Sequence, residues 1–122
     1  MADVEDALGP VVVEFPEEFD FGNAGEVAER VRAAIVPGVA VVVADLTRTA
    51  FCDSSGVRIM LLAHDWASAD GVELRLVVPP GPTLIVLKLL ALDELLPVYP
   101  SLREALAGVP ALDAGEPGLQ VS

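Results

Sequence analysis

Two adjacent serines, Ser54 and Ser55, are the residues of this chain best placed to do chemistry. They follow Asp53 at a predicted turn between an apolar strand, residues 39–46, and an amphipathic helix that begins at Gly56. Backbone N–H groups at the start of a helix lack partners and lie at the positive end of the helix dipole, so a phosphate group is favoured there. A serine that is phosphorylated to regulate the protein is therefore the leading hypothesis.

Other roles for this turn are weighed against that hypothesis. Asp53 or Ser54 could simply cap the helix, which is the usual role of these residue types. A hydrolytic serine would need a Gly-x-Ser-x-Gly turn and an activating histidine, but Cys52 replaces the first glycine. The sole histidine, His64, lies more than two helical turns beyond Ser54. Neither a metal-ligand spacing nor a Walker-type phosphate loop is present, so the sequence predicts no catalysis, no metal and no cofactor.

A helical projection separates the two serines. At about 100° per residue, Ser55 falls on the side predicted to face the core. That side comprises Ser55, Ile59, Leu62, Ala63 and Trp66, and the opposite side comprises Ser54, Arg58, Leu61 and Asp65. The projection thus predicts that a kinase can reach the hydroxyl of Ser54.

Composition limits the class of protein and the choice of partners. A chain of 122 residues with 53% apolar residues suits one folded domain, predicted over residues 1–109 with a flexible tail over 110–122. The net charge of −12 repels nucleic acid and anionic lipid, and it suits a basic protein surface. The N terminus lacks the pattern of an export signal, and the apolar run 83–92 is too short to span a membrane, so we expect a cytoplasmic protein.

The elements predicted from periodicity alternate between strands and helices. Strands are predicted at residues 11–15, 39–44, 72–78 and 98–99, and helices at 23–36, 56–69, 83–92 and 102–107. Ser101 and Glu104 form a predicted capping box for the last helix. The expected fold class is α/β, a small mixed or parallel sheet of about four strands flanked by about four helices.

Three segments of the chain together resemble the STAS domain of anti-sigma factor antagonists. They are the apolar strand 41–47, the turn Phe51-Cys52-Asp53-Ser54-Ser55-Gly56, and the strand 72–77. A later pattern, residues 90–92 followed by Tyr99-Pro100-Ser101-Leu102-Arg103-Glu104-Ala105-Leu106, adds to this resemblance. The similarity covers roughly residues 11–107.

The resemblance implies a function and a site. In that family the serine directly after the aspartate is phosphorylated by an anti-sigma factor that is also a serine kinase, which makes Ser54 the implied acceptor and Ser55 the alternative. The unmodified protein would bind the anti-sigma factor and release a sigma factor, and phosphorylation would end that binding. Members of the family also have an acidic residue in the loop after an early strand, and Asp20 is the matching residue of this chain. The implied partner-binding residues are Asp20, Asp53, Ser54, Ser55, Gly56, Val57, Arg58 and Leu61.

Two features of the sequence depart from the family pattern. Residues 21–23 replace a more usual polar run, and Arg58 stands where some relatives have glycine, so its guanidinium could pair with a phosphate on Ser54.

The alternative function is a STAS adaptor or scaffold subunit of a stress-signalling or lipid-transport assembly that is not phosphorylated. The helix 83–92 is apolar nearly all round, and its outer side is either exposed beside the Ser54 helix or buried in the fold or in a weak homodimer.

Overall fold

The computed structural model describes residues 9–108, which form an α/β fold around a parallel sheet. The strands are β1 (Val11–Glu14), β2 (Glu18–Phe19), β3 (Val41–Asp45), β4 (Phe51–Cys52), β5 (Glu73–Val77) and β6 (Val98–Tyr99). The helices of this region are α1 (Phe21–Ala34), α2 (Ser54–Ala69), α3 (Pro82–Leu89) and α4 (Leu102–Leu106), with a 3-10 turn at Leu92–Glu94. The predicted fold class is confirmed.

The main sheet has the order β1-β3-β5-β6, and each neighbouring pair is parallel. Each crossover between these strands contains a helix, as parallel pairing requires. Of the mixed and parallel sheets that the sequence left open, the described residues therefore form the parallel one. The carboxyl ends of all four strands lie at one edge of the sheet, and the turn that contains Ser54 follows the segment that leaves β3 at that edge.

The core explains why β3 is a continuous apolar run. Val42 and Ala44 pack on the face that carries α1, α2 and α3, whereas Val41 and Val43 pack on the face that carries α4. Buried residues from the first three helices include Val27, Val31, Met60, Ala63 and Leu87. A strand covered on both faces has no polar side to present, which is typical of parallel sheets.

A second, two-stranded parallel pair was not predicted from the sequence. β2 pairs with β4, with Glu18 opposite Phe51 and Phe19 opposite Cys52. Each strand has only two residues, so neither shows the alternation that identifies a strand in a sequence. This short pair matters because it fixes the segment before α1 against the segment before α2.

Several helix bounds differ from the predictions. α1 begins at Phe21, before the predicted start at Asn23, because Asp20 caps it. α3 ends at Leu89 and does not reach Leu92, because Ala91 adopts a left-handed conformation with φ of 60°. Pro82 is the first residue of α3, as its fixed φ favours, and Ser101 caps α4 by accepting from the backbone N–H of Glu104 at 3.2 Å.

Between residues 9 and 108, no helix has the length and apolar character needed to cross a lipid bilayer. The predicted tail at 110–122 lies outside the described residues.

Candidate functional site

Asp53 defines the start of α2. Its backbone is extended, and its Oδ1 accepts hydrogen bonds from the backbone N–H groups of Ser55 at 2.8 Å and Gly56 at 3.2 Å. Of the two capping residues that the sequence left open, Asp53 is therefore the cap. Ser54 becomes the first helical residue, and its hydroxyl is not needed to satisfy the start of the helix.

The turn that contains Asp20 lies directly beside this cap. The backbone N–H of Asp53 donates to the carbonyl oxygen of Phe19 at 3.2 Å, which extends the pairing of β2 with β4. The backbone N–H of Phe21 donates to Oδ2 of Asp53, also at 3.2 Å. The two segments that the sequence assigned to one site, around Asp20 and around Ser54, are therefore adjacent in the structure.

Asp20 itself caps α1. Its Oδ1 accepts from the backbone N–H of Gly22 at 2.9 Å, and its own N–H donates to Oδ1 of Asn23 at 3.0 Å. The amide nitrogen of Asn23 donates in turn to the carbonyl oxygen of Glu18 at 2.6 Å. Asn23 thus takes the place that Glu or Gln holds in the usual capping box, and it orders the turn that holds Asp20.

The two serines differ in exposure. Ser54 is exposed and Ser55 is half-buried, in agreement with the helical projection. The hydroxyl of Ser54 makes no hydrogen bond within the part of the chain that the structure describes. The Ser54 oxygen is therefore open to solvent, and its modification would break no hydrogen bond of the described residues.

Gly56 and Val57 belong to the implied partner-binding set, but both are buried. A Cβ on Gly56 would lie 2.7 Å from the sulfur of Cys52 and 2.9 Å from Cδ2 of Phe19. Glycine is needed here because the start of α2 closely approaches the β2–β4 pair. Val57 therefore presents no exposed side chain and Gly56 has none, so the structural role of both residues is to set the shape of the turn.

Cys52 is half-buried and packs against the core. Burial raises the pKa of its thiol to about 11, and the negative charge of Asp53 adds to this effect. At neutral pH the sulfur is therefore a protonated thiol, which is a poor nucleophile and a poor metal ligand. Its contribution at this turn is to packing.

The remaining residues predicted for the site lie along α2. Arg58 is exposed one turn after Ser54, and Leu61 is half-buried. His64 is half-buried and lies ten residues beyond Ser54, which corresponds to about 15 Å along a regular helix. The structure therefore groups Asp20, Asp53, Ser54 and Arg58 around one surface and leaves His64 away from it.

Two exposed aromatic side chains at this surface were not predicted from the sequence. Phe21, directly after Asp20, is 83% exposed, and Phe51, two residues before Asp53, is 52% exposed. Phe51 points outward because Cys52, the next residue, points inward with Phe19. The outward orientation of the Phe51 side chain could not be deduced from the sequence without knowing that β4 is a strand.

α3 presents one apolar side to solvent. Ile85 and Leu89, four residues apart on the helix, are 57% and 80% exposed, whereas Leu87 is fully buried. Of the alternatives that the sequence left open, complete burial within the fold is excluded for the described chain. Cα atoms of α3 also approach β4, so this helix lies near the strand that carries Phe51.

Comparison with known families gives one match that spans most of the chain. The model of the STAS domain matches residues 1–105. No significant match was found among curated proteins.

Solved structures share the same fold. An anti-sigma-factor antagonist (STAS) domain protein from Planctomyces limnophilus aligns with a TM-score of 0.68 at 23% identity, over 78% of this chain and 86% of its own. A Thermotoga maritima protein, named as a candidate anti-sigma factor antagonist, aligns with a TM-score of 0.66 at 22% identity, over 78% and 84%. The anti-sigma factor antagonist SpoIIAA in its unphosphorylated form aligns with a TM-score of 0.60 at 23% identity, over 79% of this chain and 84% of its own. At these identities the similarity concerns the fold.

Proposed function

The chain belongs to the STAS domain family, and on that premise we propose that it is an anti-sigma factor antagonist switched by phosphorylation of Ser54. The observation that carries the proposal is the exposed hydroxyl of Ser54 at the first position of α2, beside the turn of Asp20. Because Asp53 caps the helix, Ser54 can be modified without loss of the cap. In the unphosphorylated state the protein binds an anti-sigma factor, which then releases its sigma factor.

The position of the phosphate follows from the occupied cap. The N–H groups of Ser55 and Gly56, where a phosphate would otherwise sit, already donate to Asp53. The carboxylate also repels a phosphate that carries about −1.5 to −2 charges. A phosphate on Ser54 therefore points outward, away from the cap and into the space that a partner would occupy, where the exposed Arg58 one turn along can pair with it.

This position makes the phosphate an effective block to binding. To keep the partner in place, the complex would have to strip water from a near-dianion on a surface that already carries the charges of Asp20 and Asp53. A coupling of about 3 kcal/mol between phosphorylation and binding would lower the affinity by roughly a hundredfold. The switch then needs no change in the fold, only a change in charge at one exposed oxygen.

The partner in this proposal is an anti-sigma factor that is also a serine kinase. It transfers the γ-phosphoryl group of ATP to the oxygen of Ser54, which loses its proton, and ADP leaves. The protein itself acts as a regulator and not as an enzyme, and it works in the cytoplasm, where sigma factors act. Its net charge of −12 favours a basic protein surface and disfavours direct binding to nucleic acid. A single STAS domain over residues 1–109 is part of the same proposal.

The first test is phosphate transfer by purified anti-sigma factor kinases from the same organism. Each kinase is incubated with Mg-ATP and with wild type, Ser54→Ala or Ser55→Ala, and the products are measured by intact mass and site mapping. We expect one added phosphate in wild type and in Ser55→Ala, and none in Ser54→Ala. A phosphate lost only in Ser55→Ala would move the acceptor to Ser55, which contradicts the proposal.

The adaptor alternative gives a different result in the same experiment. An adaptor or scaffold subunit would accept no phosphate from any of the kinases, and its binding to other STAS proteins would be unchanged by Ser54→Asp. If neither binding to a kinase nor phosphate transfer is seen with folded wild type, the switch proposal fails and the adaptor function replaces it.

A further inference from the structure

Two exposed phenylalanines are held next to Ser54 by the backbone of the site. Phe21 is fixed through its own N–H, which donates to Oδ2 of Asp53, the residue before Ser54. Phe51 is fixed in β4, three residues before Ser54 along the chain. We infer that Phe21 and Phe51 are the apolar anchors through which this surface binds its protein partner, an inference that rests on the proposed function.

Phenylalanine side chains are usually buried, and these two are exposed beside the candidate site. A phenylalanine buries about 150–250 Å² when it is covered, and aromatic residues provide much of the binding energy at interfaces. Phe21 is 83% exposed and Phe51 is 52% exposed, so most of that area is available to a partner. One exposed apolar side chain is ordinary, but two aromatic ones beside the same functional turn indicate a contact surface.

Both anchors are also preorganised. The amide of Phe21 is the first of α1, whose start is fixed by the Asp20 and Asn23 capping pair. Phe51 lies opposite Glu18 in the β2–β4 pair. Because the backbone at both positions is ordered before binding, little backbone conformational entropy is lost when a partner covers them.

The charges around the anchors indicate the kind of partner. Glu17 and Glu18 are exposed in the segment that leads to Phe21, and Glu18 lies directly opposite Phe51. The half-buried carboxylates of Asp20 and Asp53 add to this acidic surface. The basic residues near it are Arg58 on α2 and the exposed Arg48, which lines a cavity together with Glu17, so the surface remains acidic in balance. A fitting partner is therefore a protein that offers apolar contacts for two aromatic rings within a rim of Lys and Arg side chains. A second copy of this acidic chain and an anionic membrane would both be repelled.

The anchors also explain how one phosphate can switch binding. Aromatic anchors stabilise a complex when the contact around them excludes water. A phosphate on Ser54 brings a tightly hydrated charge into the surface that carries both rings, so a partner that covers this surface must desolvate the phosphate.

The experiment measures binding of a purified anti-sigma factor kinase that phosphorylates wild type on Ser54. Titration calorimetry in the presence of ADP, which prevents phosphate transfer, compares wild type with Phe21→Ser and Phe51→Ser. We expect each variant to bind at least about tenfold more weakly than wild type. Thermal melts check that the variants remain folded, as their exposure predicts.

The matched control is Leu95→Ser. Leu95 is 53% exposed, close to the value for Phe51, but it lines a surface cavity with His64, about 15 Å along α2 from Ser54. We expect Leu95→Ser to bind like wild type. A similar loss in all three variants would show that any reduction of apolar surface weakens binding, and it would overturn the assignment of the two anchors.

The remaining outcomes separate the two proposals. If wild type binds a kinase and both phenylalanine variants bind equally well, the anchors are wrong and the switch proposal is unaffected. If folded wild type binds none of the kinases, the proposed function fails and the anchors fail with it. Binding of wild type to vesicles of anionic phospholipid, lost in the phenylalanine variants, would replace the protein partner with a membrane.

Discussion

The carboxylate of Asp53 accepts a hydrogen bond from the backbone N–H of Phe21, 32 residues earlier in the chain, at 3.2 Å. Its other oxygen caps α2 through the N–H groups of Ser55 and Gly56. One side chain therefore satisfies amides at the start of two helices, and its negative charge lies near the positive ends of both dipoles. The turns of Asp20 and Ser54 are held as one unit by this carboxylate.

Replacement of Asp53 by alanine is expected to destabilise the protein by more than the loss of an ordinary cap. A single N-cap contributes about 1 kcal/mol, and here the same change also leaves the amide of Phe21 without its acceptor. We expect a loss of about 2 kcal/mol in the free energy of unfolding. Urea unfolding followed by circular dichroism measures it.

The control variants for Asp53 separate the two helices. Asp53→Asn keeps one oxygen for the cap of α2 but places an NH₂ group opposite the amide of Phe21, so we expect an intermediate loss. Ser54→Ala removes an exposed hydroxyl without a bonding partner in the described chain and should change the stability by less than about 0.5 kcal/mol. Equal stability of Asp53→Ala and wild type would contradict the shared cap.

Gly56→Ala is expected to destabilise the protein through overpacking. The added methyl group would lie 2.7 Å from the sulfur of Cys52 and 2.9 Å from the ring of Phe19, which is fully buried. Such a change costs about 1–3 kcal/mol, since the start of α2 must move away from the β2–β4 pair. The measurement is the shift of the urea midpoint.

Gly25 provides the matched control for that substitution. It lies within α1, is exposed, and a Cβ on it would meet no atom within 4 Å. Gly25→Ala should therefore stabilise the helix by about 0.5–1 kcal/mol. In a double variant, Cys52→Ala should recover part of the loss caused by Gly56→Ala, and strict additivity of the two changes would rule out the sulfur as the obstacle.

The sequence was sufficient to predict the parts of this structure that depend on long or chemically distinctive patterns. Residues 41–44 are apolar throughout because β3 is covered on both faces, and the amphipathic period of α2 places Ser54 outside and Ser55 further in. The resemblance carried by the Asp53 turn identified the family, which the match over residues 1–105 confirms.

The rest depends on tertiary contacts that leave no periodic signal. β2 and β4 have two residues each, so the pairing that joins the two halves of the site could not be deduced from alternation. The bond from Phe21 to Asp53 spans 32 residues and uses a backbone amide, which every residue except proline carries. The outward orientation of Phe51 follows from the pairing of β2 with β4, and apolar residue type alone would have favoured burial of both Phe51 and Phe21.

The thiol of Cys52 is expected to react slowly at neutral pH. Burial, with a smaller contribution from Asp53, raises its pKa from 9.0 to about 11, so the thiolate is scarce below that pH. The folded state then holds the proton more tightly than the unfolded state does, and this contribution to stability, complete below pH 9, is lost as the pH rises towards 11. Iodoacetamide alkylation, followed by mass spectrometry across this range, tests it. The control is the same protein unfolded in urea, in which Cys52 is exposed. Equal alkylation rates for the folded and the unfolded protein would contradict the prediction.

Arg58 is expected to lower the pKa of a phosphate on Ser54. The two residues are one helical turn apart and both exposed, so the guanidinium stabilises the dianion, whose ordinary second pKa is about 6. Arg58→Gln should raise that pKa, and Asp53→Asn, which removes a neighbouring negative charge, should lower it. Phosphorus NMR titration of the phosphorylated proteins measures both shifts. Added salt should shrink the Arg58 effect, because the pair is exposed to solvent. A pKa that Arg58→Gln leaves unchanged while Asp53→Asn lowers it would place the phosphate near the cap and away from Arg58, contrary to the outward position argued for it.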